Sequence, residues 1–333
     1  MLAFLKQYKK LLLVLLLPYL AVLFVLVYPT DLGITAPGGL TPVFQNITIE
    51  GYEIVENFNT IHVYSYQPIT LFQSIILKND PTMEIYVPSP VEKDTSWRES
   101  YLRGQVTKHV SLKTSVIQAY ELASKINNEI SIDYHFAGLY VTYRPSWFSE
   151  LKIGDHVVAI NGESYEEHNI TGFVELIANQ DEFTLTVKRI IYDEIVEIDL
   201  EYLKKEEDLA MQFYPNYEIT NASPSFELPG LDTIIGGPSG GLLQTLTIYA
   251  SLVNINMGDD IIAGTGTISV LGNIGRIGGI VQKMYTANYN NVDVFFIPRA
   301  HLTEISGIKY TYIIVPVSTI REAVDWLNEQ YNV

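Results

Sequence analysis

Residues 234–252 read IIGGPSGGLLQTLTIYASL. Ser239 stands between Gly236-Gly237-Pro238 and Gly240-Gly241, where a turn gives way to an apolar run that suits a helix near 239–254. Glycines admit close backbone approach and unusual dihedrals, and Pro238 suits a first helical turn. Downstream the pattern alternates: a turn-rich stretch at 258–279, a helical stretch near 280–290, the strands VDVFFIP and YTYIIVPV, and a last helix, STIREAVDWLNEQY. That succession predicts a mixed α/β domain. Two readings fit Ser239. It is a simple helix cap, or it is a nucleophile beside free N–H groups at a helix start, which can stabilise an oxyanion. On the second reading the backbone around Gly237 and Ser239 supplies those groups.

A serine nucleophile needs a base. From residue 206 onward the sequence holds two lysines, Lys283 and Lys309, and one histidine, His301. In GGIVQKMYTANY, Lys283 shares the stripe 280, 283, 284, 287 with apolar side chains, which predicts that it points inward. Burial lowers a lysine's pKa, by as much as several units, and leaves a neutral amine available as a general base. The other reading is a snorkelling lysine whose head stays in water.

Upstream, residues 29–42 carry Pro29, Gly33, Pro37, Gly38, Gly39 and Pro42 and read as a linker. Residues 43–90, with NTIHVYSY and MEIYVPS, read as strands. Around 111–127 the spacing turns helical. Residues 137–200 return to strands, with turns at Gly154-Asp155 and Asn161-Gly162 inside LKIGDHVVAING. Residues 212–230 read as a loop rich in Pro, Asn and Ser. Because 231–333 is short for a full core, the strands at 43–90 are also candidates for its sheet.

Residues 11–28, LLLVLLLPYLAVLFVLVY, run eighteen residues without a charge. As a helix this spans about 27 Å, close to the hydrocarbon thickness of a bilayer. Lys6, Lys9 and Lys10 precede it, which predicts a cytoplasmic N-terminus and the bulk of the chain outside. The apolar run is long for a cleavable signal peptide, and no small-x-small site follows it. The 333-residue chain carries 38 acidic against 21 basic residues, a formal charge of −17. With no basic block beyond the N-terminus, nucleic acid is not expected as a partner. The absence of cysteine excludes thiol nucleophiles, disulfides and thiolate metal sites. No H-E-x-x-H occurs, and no G-x-x-x-x-G-K-[ST], so neither a zinc protease nor a Walker-type ATPase is expected. No metal and no cofactor are expected.

Two resemblances sharpen these readings. AGLYV followed by LKIGDHVVAING, a short helix and two strands resembles a PDZ domain. The resemblance implies that Ala137, Gly138, Leu139 and Tyr140 form a carboxylate nest and a strand onto which a peptide adds. GGPSGG followed by IIAGTGTISVLGNIGRIGGIVQK closely resembles the proteolytic domain of Lon-type serine proteases over about residues 234–298. The resemblance implies a Ser239–Lys283 dyad with Thr265 beside the lysine. The chain departs from the ATP-dependent members of that family in having Gly236 where they carry an acid and Gly240 where they carry alanine. The whole order is similar to the membrane-anchored PDZ–Lon-like proteases. The expected fold class is thus α+β, mixed α/β, with a cytoplasmic stub at 1–10, a transmembrane helix at 11–28 and a linker and β-rich segment at 29–110. A PDZ-like domain with its preceding helix follows at 111–205, then a Lon-like domain at 206–333. The expected activity is ATP-independent endopeptidase cleavage of protein or peptide substrates outside the cytoplasm, with residues 11–28 in the membrane and a homo-oligomer left open. A chymotrypsin-like arrangement is disfavoured because His135, His156 and His168 fall within the PDZ-like segment. The other class is a membrane-tethered peptide-binding scaffold with an inactive protease-like domain.

Overall fold

The computed structural model describes residues 7–331 apart from 179, 193, 206–208 and 230–235. Most of the stub expected at 1–10 and the domain junction expected at 206 lie outside the described residues. The N-terminal apolar run forms α1 (Lys9–Val27), with Pro18 inside it. Among the described residues it is the one helix long and apolar enough to cross a membrane, and none of it is buried against protein.

The stretch expected as a linker is instead a strand, β1 (Gly33–Pro42). It pairs antiparallel with β2 (Phe58–Tyr66) along its length and with β3 (Glu84–Tyr86) at its start. Its register shifts between Pro37 and Gly39. The proline has no N–H to give the ladder, so the breakers mark a bulge within a strand rather than the absence of one. A short helix, α2 (Leu71–Leu77), lies between β2 and β3.

The helical pattern at 111–127 is the later part of α3 (Trp97–Ala123). Its start is set by a capping box in which Ser96 and Glu99 each accept from the other's backbone N–H. An antiparallel sheet follows, made of β4 (Ser131–Tyr143), β5 (His156–Ile160), β6 (Glu182–Ile191), β7 (Glu194–Leu203) and β8 (Gln212–Ser223), in the order β8-β4-β5-β6-β7. The short helix α4 (Ile170–Glu175) sends Phe173 into its separate core of Leu139, Val141, Val157, Leu185 and Val187. Strand β8 replaces the loop expected from 212. Pro215 falls at one of its register shifts, again a bulge read as a break.

The C-terminal part consists of α5 (Gly241–Leu252), β9 (Ile262–Gly264), α6 (Ile280–Tyr289), β10 (Val294–Pro298), β11 (Ile313–Val317) and α7 (Ile320–Tyr331). Strands β9, β10 and β11 are parallel, and β9 lies parallel to β2, giving a six-stranded sheet in the order β11-β10-β9-β2-β1-β3. One sheet is thus built from two distant stretches, with the antiparallel sheet between them in sequence. Strand alternation serves two cores. Along β10, Val294 and Phe296 join α3, α5 and α7, whereas Phe295 and Ile297 join α6 on the other face. Every residue of α5 is buried, as a helix sandwiched between the sheet and α3 requires.

Candidate active site

The serine turn is held by α3. Gly237 has φ +95°, a conformation that favours glycine, and it leads into a 3-10 turn at Pro238–Gly240 and then into α5. The Gly237 N–H donates to Gly104 O at 2.7 Å. Ser111 Oγ donates to Pro238 O at 3.2 Å, and Ser115 Oγ to Gly241 O at 3.0 Å. A Cβ on Gly236 would come within 2.9 Å of Gly104 Cα, and one on Gly241 within 2.5 Å of an Ile268 methyl. The glycines are therefore needed for backbone contact. This corrects one expectation. The Gly237 N–H, read as an oxyanion donor, is committed to Gly104. The Ser239 N–H stands at the start of the turn, where the turn itself supplies no acceptor.

Lys283 projects from the second turn of α6 and is 3% exposed. Its Nζ lies 3.1 Å from Ser239 Oγ and 2.8 Å from Thr265 Oγ1. Burial pushes its pKa down to about 7, and among the described residues no carboxylate pairs with it. Thr265, wholly buried after β9, donates its hydroxyl to Ser239 O at 3.2 Å, and the Gly266 N–H donates to the same carbonyl at 2.8 Å. The threonine proton is thereby spent on the serine carbonyl, and its oxygen accepts from the lysine. A neutral amine with one N–H directed at Thr265 can turn its lone pair to the serine hydroxyl. That is the geometry for taking the hydroxyl proton. The structure brings Ser239, Thr265 and Lys283 together from three segments.

Other site residues have no signal in the local sequence. Buried His301 accepts at Nε2 from the Ile277 N–H at 3.0 Å and bonds Glu304 through Nδ1 at 3.1 Å; Glu304 also pairs with Arg276. This fixes the Ile277-Gly278-Gly279 turn that starts α6. Burial holds the His301 pKa below the ordinary histidine value, followed by the opposing pull of Glu304. On β2, Thr60 and His62 line the same cleft as Ser239. His62 bonds Thr41 at 3.1 Å, and burial followed by the nearby Lys283 lowers its pKa. Ser239 and Lys283 open into a cleft of about 2540 Å³. Lys93, Arg103 and Lys108 line it against Asp31 and Glu92, a basic lining in an acidic chain. Among the described residues no three histidines or carboxylates converge on a metal site.

The structure does not bring Ala137, Gly138, Leu139 and Tyr140 to this site, nor does it leave them open. At Leu139 and Tyr140, β4 pairs with β8 on one side and with β5 on the other. Ala137 O is bonded by His156, and Gly138 packs its positive-φ backbone against Val157 O. A peptide strand has no free edge there.

Residues 183–326 match the family profile of the Lon protease (S16) C-terminal proteolytic domain. The match begins inside the antiparallel sheet, at the start of β6. Among curated proteins, the chain is 38% identical over 93 residues to a Lon protease of Aster yellows witches'-broom phytoplasma, covering 26% of this chain and 11% of that one. It is 33% identical over 95 residues to Lon protease 2 of Bacillus subtilis, covering 27% and 16%. A Lon protease of Mesomycoplasma hyopneumoniae is 27% identical over 141 residues, covering 41% and 16%. The chain thus spans between 11% and 16% of the length of these relatives. Residues 183–326 are thus similar to the proteolytic domain of Lon serine endopeptidases.

Proposed function

We propose that the chain is a membrane-anchored, ATP-independent serine endopeptidase that works outside the cytoplasm through a Ser239–Lys283 dyad. The observation that carries this reading is a buried amine, with its pKa lowered to about 7, standing 3.1 Å from the Ser239 hydroxyl. Ser239 Oγ attacks the scissile carbonyl while neutral Lys283 takes its proton. The ammonium then returns that proton to the leaving amine, and an acyl-enzyme forms. A water, deprotonated by the same amine, releases the product. Thr265 orients the amine by accepting one of its N–H bonds. The Ser239 N–H is one oxyanion donor.

The anchor is α1, supported by its length and by the lysines that precede its apolar run. ATP independence is supported by the lack of a phosphate-loop motif in the sequence. The sheet β4–β8 is read as a PDZ-like module that regulates access.

The test is cleavage of an unfolded protein by the full-length chain in detergent. The wild type cleaves it without ATP, and Ser239→Ala does not. Equal cleavage by both, or none by either under any condition, would overturn the reading.

A further inference from the structure

The foot of α1 is stapled to α2. The Leu71 N–H donates to Tyr28 O at 2.9 Å, the Thr30 N–H to Ile69 O at 2.8 Å, and the Ile69 N–H to Leu32 O at 2.9 Å. Thr30 Oγ1 adds a further bond to Ile69 O, and Thr70 caps α2 in a box with Gln73. This fixes where α2 stands relative to the end of the membrane span. Yet α2 buries no residue, and Phe72, Ile75 and Ile76 are 41%, 59% and 54% exposed. They sit at i, i+3 and i+4, one face of a helix. Tyr66 and Val87 are exposed at the same end of the domain. Tyr66 pairs with Ile34, and Val87 follows Tyr86, which pairs with Gly33, six residues past α1.

We propose that the Phe72, Ile75 and Ile76 stripe, flanked by Tyr66 and Val87, is a docking surface for the bilayer and seats at the headgroup–acyl boundary beside α1. It rests on the reading of α1 as a membrane anchor. The lipid is favoured as occupant because the stripe continues the exposed apolar surface of α1 across a backbone-bonded junction. A short apolar face with tyrosine at its margin matches what an interface accepts. The cleft that holds Ser239 and Lys283 also takes in Thr30, Asp31 and Leu32 at the foot of α1. Strand β2 runs from Tyr66 at this end to Thr60 beside the serine turn, about 20 Å of strand. Docking of α2 would therefore set both the tilt of the domain and the height of the serine above the lipid.

The chain has no cysteine, so single nitroxide labels can be placed at will. Full-length Ile75→Cys, Ile76→Cys, Leu16→Cys and Leu271→Cys are labelled and reconstituted in vesicles of phosphatidylcholine and phosphatidylglycerol. Collision of each label with oxygen is compared with collision with a water-soluble nickel chelate. The oxygen-to-nickel ratio at 75 and 76 should be at least about threefold above that at exposed Leu271 and below that at Leu16, as for a group held just inside the interface. Ratios at 75 and 76 equal to that at 271, with a high ratio at 16, would overturn the proposal and leave the anchor standing. Labels at 75 and 76 that neither reagent reaches would also overturn it, because protein would then cover the stripe. A low ratio at 16 would refute the anchor itself.

Discussion

Asp155, beside the antiparallel sheet, and Lys283, on a helix packed against the other large sheet, are both buried, and the two burials are handled in opposite ways. Asp155 is 2% exposed and fully compensated. Arg189 bonds both its oxygens, at 2.7 and 2.5 Å, and the Lys152 N–H donates to it at 2.8 Å. Lys283 is as deeply buried, with only hydroxyl partners and no counter-ion among the described residues. A buried charge that is paired and hydrogen-bonded is structural. A buried amine that is not paired gives up its proton near neutrality, and the environment that makes it costly makes it a base.

Exchanging the two kinds of side chain tests this contrast. Lys283→Met should lower the cleavage rate by roughly 10⁴-fold or more, since base catalysis is lost, while leaving the melting temperature equal or higher. Lys283→Arg should be equally inactive, because a guanidinium stays protonated. Asp155→Asn should do the reverse. It should cost about 3 kcal/mol of stability by leaving Arg189 unpaired, with cleavage per folded molecule unchanged, as a denaturant titration beside an activity assay would read. A Lys283→Met protein that unfolds, or an Asp155→Asn protein that stays fully stable, would erase the distinction.

The pH dependence follows from the same comparison. The folded pKa of Lys283 lies below its unfolded value, so between about pH 7 and the ordinary lysine range the unfolded chain binds more protons. Stability then rises with pH across that window, by at most about 1.4 kcal/mol per unit. Below about pH 7 both states are protonated and the dependence ends. Lys283→Met should remove this slope, which unfolding at several pH values would detect.

Thr265→Val keeps the shape but loses the acceptor that aims the amine. A fall in kcat of about 10²-fold is expected with KM little changed, and Thr265→Ser should recover most of it. The smallest effect falls at His301, one shell further out. His301→Ala should lower kcat by about 10-fold by loosening the turn before α6, and His301→Gln, which can still accept from Ile277, should lose less.

The contrast also explains what was legible in the sequence. Ser239 and Lys283 stand out because a glycine turn and a lysine on an apolar stripe are local patterns, whereas Thr265 follows only from the resemblance to the Lon-type domain. The downstream helices and strands follow from periodicity for the same reason. Strands β1 and β8 were hidden because Pro37, Gly38 and Pro215 mark bulges, which use the same residues as turns. The residues at 137–140 read as an open edge because their partner strand, β8, lies far along the chain, beyond any local pattern. Gly104, Ser111, Ser115 and His301 were invisible for a related reason. Each acts on the site by a contact that only the folded chain creates, and the Gly104 carbonyl takes the very N–H expected to serve as an oxyanion donor.

The central claim is that Lys283 is neutral where it works. The direct measurement is a pH titration of its Cε and Nζ resonances in full-length Ser239→Ala protein carrying labelled lysine, with Lys283→Met assigning the signal. A midpoint near pH 7 is predicted, well separated from the other lysines. A midpoint in the ordinary lysine range, above pH 10, would mean that the amine is charged at neutral pH and would contradict the dyad.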